Sequence, residues 1–260
     1  IFKALKNSSA NYSTAAIGKW HVAKPVIEQH PNWHGVDHYT GILGASWPAY
    51  DNWSKTENGV TTTSTDYATS YFTDDAISWI RTQNASKPFF LWLAHIAPHT
   101  PFHVPPAHMY TRTNTTGRLN RYLAMIESLD YEVGRLLDSM TTIQKANTII
   151  IFIGDNGTPN NTLQGYPANH GKESLYQGGV HVPMFVSGKG VTRKGKTESA
   201  LVNVLDIYAT AIELGGENLP GGKFNSLSFL PLLSNSSMHS RQYNFSELDT
   251  NQNDITTQGF

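Results

Sequence analysis

The chain has 260 residues, 39% of them hydrophobic and only 15% charged, against about 25% charged in an average soluble domain. That is enough apolar material for one large α/β domain or two small ones. Lys+Arg 19 against Asp+Glu 20 gives a formal charge of -1, which argues against a nucleic-acid partner or an acidic membrane, since both call for a dense basic field. The absence of cysteine rules out disulfides, cysteine zinc sites, iron–sulfur clusters and thiol nucleophiles within these residues.

The longest apolar runs, Phe89–Leu93 and Ile149–Ile153, fall far short of the roughly 20 residues a membrane helix needs, so no membrane span is expected. The chain opens with Ile1 and has no charged segment followed by an apolar run, as expected of a piece of a longer protein. Asn-x-Ser/Thr sequons, beginning at Asn7, Asn11, Asn52, Asn84, Asn114, Asn160, Asn235 and Asn244, are more frequent than composition gives by chance. They point to a secreted, lysosomal or periplasmic location.

In chain order, residues 12–17 predict a short strand ending at Gly18. Residues 41–65, rich in Gly, Ser, Thr, Asn and Trp, predict a long surface loop. From Asp66, a candidate N-cap, the apolar positions Tyr67, Tyr71, Phe72, Ala76, Trp79 and Ile80 recur at helical spacing. Residues 87–95 form a continuous apolar run that suits a strand buried on both faces of a parallel sheet. Pro98, Pro101, Pro105 and Pro106 then exclude a helix. Residues 117–140 predict the clearest helix, with an apolar stripe through Leu119, Tyr122, Ile126, Leu129, Val133, Leu136 and Met140. Residues 147–154 and 181–188 predict two more strands. Asp206–Leu214 predicts another amphipathic helix, ended by Gly215-Gly216.

Strands alternating with helices predict βαβ units, hence an α/β fold with a mostly parallel central sheet and helices on both faces. Such sheets bind ligands beyond the carboxyl ends of their strands, which singles out residues 18–21, 95–99 and 155–157.

Each of these segments carries chemistry and also admits a plainer reading. In Gly18-Lys19-Trp20-His21 a lysine and a histidine follow a glycine, so both could face an anion, or the segment could be an ordinary turn. His95, His99, His103 and His108 lie in the proline-rich stretch. The H-x-x-x-H spacing places two imidazoles together only on a helix, so a stiff loop presenting one or two of them is the better expectation than a zinc site. Asp155-Asn156 ends an apolar strand with a carboxylate and an amide oxygen, donors for a hard cation such as Ca²⁺ or Mg²⁺. Asn156-Gly157 is also a hairpin-turn signal, but residues 158–171 predict loop and no matching antiparallel strand is expected to follow. Lys172 follows Gly171 in a polar turn that is no Walker A loop, because Glu173 stands where Ser or Thr is required.

Taken in order, NYSTAAIGKWHVAKP, PFFLWLAHIAPHTPFHVPP, YLAMIESLDYEVGRLL, TIIIFIGDNG, GKESLYQGGVHVPMFV and VNVLDIYATAIELGG resemble the sulfatase family of the alkaline-phosphatase superfamily, its arylsulfatase-B-like branch most of all. The resemblance covers roughly residues 1–233 and implies the core of a sulfatase catalytic α/β domain truncated at both ends, with 234–260 starting a C-terminal subdomain or tail. It implies hydrolysis of sulfate esters, on an aryl or glycan substrate, by a formylglycine hydrate assisted by Ca²⁺. Lys19 and His21 would contact the formylglycine hydrate and the sulfate, with His21 the base that regenerates the aldehyde. His99 would bind sulfate and help protonate the leaving group. Lys172 would bridge sulfate and leaving oxygens, and Asp155 and Asn156 would ligate the metal.

The chain departs from the pattern at several points. The family's nucleophilic Cys or Ser, in C/S-x-P-x-R, is expected upstream of residue 1, so these residues alone are expected to be inactive. Ser46-Trp47-Pro48 has Tyr50 in place of the Arg. The family's paired aspartates are missing, Asn11 replaces a usual glycine and Gln177 a usual glutamate. A phosphodiesterase or phosphonate hydrolase of the same superfamily, and a non-catalytic binder of sulfated glycans, are the alternatives.

Overall fold

A computed structural model describes residues 1–22, 26–44, 47–84, 86–218, 225–235 and 241–248. Its elements, in chain order, are α1 (Phe2–Lys6), β1 (Ser13–Trp20), α2 (His30–Trp33), β2 (His38–Leu43), β3 (Trp53–Glu57), β4 (Val60–Ser64), α3 (Ala68–Thr82), β5 (Phe89–Ala94), α4 (Gly117–Ser139), α5 (Thr142–Asn147), β6 (Ile149–Ile153), α6 (Gln177–Val180), β7 (Met184–Gly188) and α7 (Asp206–Leu214). They fall into two compact units, residues 1–148 with 203–231, and residues 149–202 with 232–260.

The first unit is built on a five-stranded sheet of order β4-β3-β2-β1-β5. β1 runs parallel to both β2 and β5, while β3 and β4 add an antiparallel extension. Helices cover both faces. Ile17 of β1 points to a core with Ile42, Trp53, Phe72 and Ala76 of α3, and Met125 of α4. The neighbouring Ala16 points the other way, into a cluster with Phe2 of α1, Val36 and Tyr39. Fully burying a side chain such as Phe72 contributes about 2–3 kcal/mol.

The strands pass closest where Gly18 pairs with Gly41 on one side and Ala94 on the other. Gly18 has φ +106, and a Cβ there would lie 2.0 Å from the Ala94 carbonyl oxygen. A Cβ at Gly41 would lie 1.7 Å from the Gly18 carbonyl oxygen. Only glycine meets both demands. Pairing then continues through Lys19 and Trp20, so β1 runs past the Gly18 end expected for it.

The expected loop at 41–65 is largely strand. Its hairpin turns on Asn58 and Gly59, at φ 45 and 88, the left-handed pair that a two-residue turn demands. Trp53 is buried and its indole N–H donates to the Asp66 carbonyl. Asp66 does not cap α3, whose N-cap is Tyr67; its carboxylate accepts from Ser64 Oγ instead. The apolar stripe of α4 is partly rotated from its expected line: Tyr122 and Met140 are buried and Leu129 and Leu136 pack on the core, whereas Leu119 and Ile126 are exposed and Met125 is buried instead. Glu132 takes a buried place, held by Ser70 Oγ at 2.7 Å and by Arg135.

In the second unit β6 pairs antiparallel with β7, not in a parallel ladder. An antiparallel partner does follow Asn156-Gly157, though neither residue has a positive φ and no tight turn forms there. Both β5 and β6 are half-buried, not buried on two faces, with Trp92 and Phe152 exposed. Of the expected C-terminal stretch 234–260, residues 236–240 and 249–260 lie outside the described residues, as does Ser46.

Two tests follow from this packing. Gly18→Ala is expected to destabilise by on the order of 3 kcal/mol, read by denaturant unfolding, because both the φ and the space are wrong for a side chain.

The second concerns pH. His95, just past β5, has both ring nitrogens buried without a hydrogen-bond partner among the described residues, and burial pulls its pKa down to about 4. The unfolded chain protonates this residue near pH 6.5, so stability should fall as pH drops from about 6.5 to 4, by roughly 3 kcal/mol in all. His38 works in the opposite sense. Its Nε2 lies 2.8 Å from Asp75 Oδ2, and that hydrogen bond, with help from the nearby Glu57 charge, raises its pKa. Its contribution is complete below about pH 6.5 and is lost as pH rises through the folded-state pKa. In thermal unfolding from pH 4.5 to 8.5, His95→Leu should flatten the acid limb. Asp75→Asn should lower Tm at pH 6 and change it little at pH 8.5.

Candidate functional site

The close passage at Gly18 fixes where the next side chains emerge. Lys19 sits in the last turn of pleat of β1, and His21 follows immediately beyond the strand, exposed. Lys19 Nζ lies 5.2 Å from the centre of the Trp47 ring, within cation–π range. The same indole packs against His99, with ring centroids 4.8 Å apart at 58°. Lys19 from β1 and His99 from the loop after β5 thus meet at one aromatic side chain.

The His99 loop, kinked by cis peptides at Ala97-Pro98 and Thr100-Pro101, is tied down at several points. The buried Tyr50 hydroxyl lies 3.0 Å from the Ile96 carbonyl oxygen and 2.7 Å from that of His99, and its one proton is shared between them. The His103 ring lies 4.3 Å from the Tyr50 ring. His103 Nδ1 donates to the Pro101 carbonyl, so its Nε2 accepts from the Tyr67 hydroxyl at 3.0 Å. Burial lowers the His103 pKa, consistent with that neutral form. His99 Nδ1 lies 2.9 Å from the Thr100 carbonyl oxygen. A carbonyl can only accept, so Nδ1 carries the proton and Nε2 is the nitrogen able to take up or deliver another.

The four histidines therefore divide. His99 is presented by the loop, His103 is structural, His95 is half-buried with both ring nitrogens shielded, and His108 is exposed beside the Tyr131 ring. Trp47 and Tyr50 are the residues of this site that sequence reasoning missed. The dense aromatic spacing of 47–53 was the available signal.

In the second unit, Asp155 and Asn156 follow β6 directly and are exposed. The loop behind them interlocks with the Lys172 turn. Gly157 N–H donates to the Gly179 carbonyl at 2.9 Å, and a Cβ on Gly157 would lie 2.0 Å from the Gly178 oxygen. Lys172 N–H donates to the Thr158 carbonyl at 2.8 Å. Asn160 clasps the same turn, accepting from Gly171 N–H at 3.1 Å and donating to the Lys172 carbonyl at 3.3 Å. The backbone of Lys172 is thus held by hydrogen bonds to Thr158 and Asn160, which follow closely after Asn156 and Gly157, and the His170 ring stacks on Tyr176.

Among the described residues no three His, Asp or Glu side chains are grouped to hold a metal ion. Asp155 and Asn156 fit a hard cation by donor type. The Asn156 amide nitrogen is turned to its own chain at Gly157 O, which leaves Oδ1 as the donor. Two residues supply only part of the six to eight oxygens that Ca²⁺ takes.

The sulfatase family profile matches residues 3–217. The chain is 32% identical over 256 residues to "Uncharacterized sulfatase YdeN" of Escherichia coli (strain K12), covering 85% of this chain and 45% of that protein. It is 27% identical over 258 residues to N-acetylgalactosamine-6-sulfatase of Mus musculus, covering 89% and 48%. The chain therefore spans about half the length of these curated relatives. Among solved structures, Ps i-CgsB in complex with k-i-k-neocarrahexaose superposes with a TM-score of 0.74 at 30% identity, covering 84% of this chain and 53% of that one. BT4656 in complex with its substrate D-glucosamine-2-N,6-O-disulfate shares the fold, with a TM-score of 0.69 at 21% identity over 90% and 64%.

The clasp at Lys172 is directly testable. Asn160→Ala removes one acceptor and one donor, so the Gly171 amide should exchange its proton on the order of 10-fold faster in native-state hydrogen exchange. Unchanged exchange at Gly171 would mean that Asn160 does not hold the turn.

Proposed function

On the premise that the chain belongs to the sulfatase family, we propose that it is part of a hydrolase that cleaves sulfate esters, with a sulfated sugar as the preferred substrate class. The observation that carries this reading is the meeting of Lys19 and His99 at Trp47, just past the closest passage of β2, β1 and β5. A cation and an imidazole at the carboxyl end of parallel strands suit a small tetrahedral anion. Support for a sugar comes from the relatives, one of which is an N-acetylgalactosamine-6-sulfatase.

In the proposed reaction an oxygen nucleophile forms a bond to sulfur while the bond from sulfur to the leaving oxygen breaks. With no cysteine in these residues, the nucleophile would come from elsewhere in the parent protein, as a formylglycine hydrate. The Lys19 ammonium neutralises charge on the sulfate oxygens, and Lys172 does so between sulfate and leaving oxygen. In its imidazolium form His99 delivers the Nε2 proton to the departing oxygen and is left neutral, with Nδ1–H still engaged with the Thr100 carbonyl and keeping the ring in that orientation. His21 would act as the base that restores the aldehyde. Asp155 and Asn156 would hold Ca²⁺, with Mg²⁺ the alternative, and a bound cation would supply further charge neutralisation. The side chains of the sequon asparagines named above are exposed, in keeping with a parent exported from the cytosol. Among the described residues no helix is long and apolar enough to cross a membrane.

The test is an aryl-sulfate assay with Ca²⁺ on the full-length parent and on residues 1–260 alone. The parent should turn over and the 260 residues should not. In the parent, Lys172→Ala should lower kcat/KM by on the order of 10²-fold. Metal-dependent turnover by residues 1–260, lost in Lys19→Ala, would show that the nucleophile lies within them. An inactive parent that carries formylglycine and still binds sulfated glycans would favour the binding-protein reading.

A further inference from the structure

Trp47 is nine-tenths buried, yet its position is an odd one for a residue that serves only as core. Its indole N–H is buried with no hydrogen-bond partner among the described residues. Leaving such a donor unpaired costs about 1–3 kcal/mol, and a phenylalanine or leucine would fill space there without that cost. What an indole offers beyond bulk is the strongest cation-binding face among the side chains. That face is in use, with Lys19 Nζ 5.2 Å from the ring centre. The His99 ring packs 4.8 Å away. Three residues on, Tyr50 stands edge-on to Trp47, with centroids 6.5 Å apart at 87°, and its hydroxyl holds the His99 and Ile96 carbonyls.

From this geometry we infer that Trp47 and Tyr50 are positioning residues. Trp47 fixes the Lys19 ammonium and the His99 imidazole against one ring, and Tyr50 fixes the backbone that carries His99. The inference rests on the proposed roles of Lys19 and His99 and adds what sets their spacing. The segment 47–50 thereby becomes part of the reaction machinery without touching the reacting atoms.

The consequence is specific. A residue that only supports the fold would, when altered, lower all rates alike through loss of folded protein. A residue that aims His99 controls delivery of the proton, so its loss should hurt poor leaving groups more than good ones. The experiment measures kcat and KM of the full-length parent on a series of sulfate esters of graded leaving-group acidity, for His99→Ala, Trp47→Leu, Trp47→Phe and Tyr50→Phe, each checked for folded fraction.

His99→Ala should steepen the dependence on the leaving group. Trp47→Leu should steepen it in the same sense, lowering kcat for the poorest leaving groups by on the order of 10–100-fold with a smaller change in KM. Trp47→Phe, which keeps a ring face, should recover most of that loss. Tyr50→Phe keeps its ring and removes only the hydroxyl, so it should steepen the dependence mildly without unfolding the protein. This variant keeps the inference testable if Trp47→Leu does not fold.

If His99→Ala steepens the series while well-folded Trp47→Leu and Tyr50→Phe keep the wild-type slope, the positioning role is overturned and the proposed function stands. If His99→Ala and Lys19→Ala leave turnover unchanged, the proposed function itself fails.

Discussion

Three backbones meet at Gly18. A side chain at that position would stand 2.0 Å from the Ala94 oxygen, and one at Gly41 would stand 1.7 Å from the Gly18 oxygen. The sheet can close at this level only because both positions lack Cβ, and Gly18 can take its positive φ only for the same reason. Everything downstream inherits that constraint. Lys19 leaves the strand one residue later, still paired with Ile42, so its ammonium is aimed by the sheet and not by a mobile loop. The Ala94 that crowds Gly18 is also the last residue of β5, from which the His99 loop departs.

Around this rigid edge the protein places polar groups whose partners are mostly backbone. Tyr50 holds two carbonyls of the His99 loop, His103 holds a third, and Thr100 selects the His99 tautomer. A proline-rich loop has few N–H groups with which to make its own ladder. A hydroxyl donor borrowed from Tyr50 and an imidazole donor from its own His103 are how it becomes ordered enough to present one imidazole. The second unit solves a similar problem with glycine and asparagine. Gly157 permits the close approach of Gly178, and Asn160 mimics a backbone partner for the Lys172 turn.

Much of this was legible in the sequence because it depends on local pattern. The continuous runs around Phe89–Leu93 and Ile149–Ile153, and the periodicity of Ala68–Thr82 and Gly117–Ser139, announce their elements without tertiary help. The family was legible from six ordered segments, and the profile match over residues 3–217 agrees with it. What was not legible depends on partners far away in sequence. The antiparallel pairing of β6 with β7 spans a long connection, too long for the Asn156-Gly157 signal at its start to identify the partner strand. The rotation of the α4 stripe follows from burying Glu132 with Ser70 and Arg135, which hydrophobic periodicity cannot foresee. The hairpin at Asn58-Gly59 did carry its signal. It was outweighed by the polar composition of 41–65, although Trp53 and Thr56 are buried on the two opposite faces of β3. For the site, lysines and histidines were found by residue type, whereas Trp47 and Tyr50 were hidden in what read as a surface loop.

Attack at sulfur is the central step of the proposed reaction. The most direct measurement is hydrolysis of a sulfated sugar by the full-length parent in ¹⁸O-labelled water, with mass analysis of both products. If Lys19, His99 and Lys172 serve sulfur–oxygen cleavage, the label appears in the released sulfate and the sugar hydroxyl keeps its original oxygen, with neither product formed by Lys19→Ala. Label in the sugar hydroxyl, or unchanged product formation by Lys19→Ala, would contradict it.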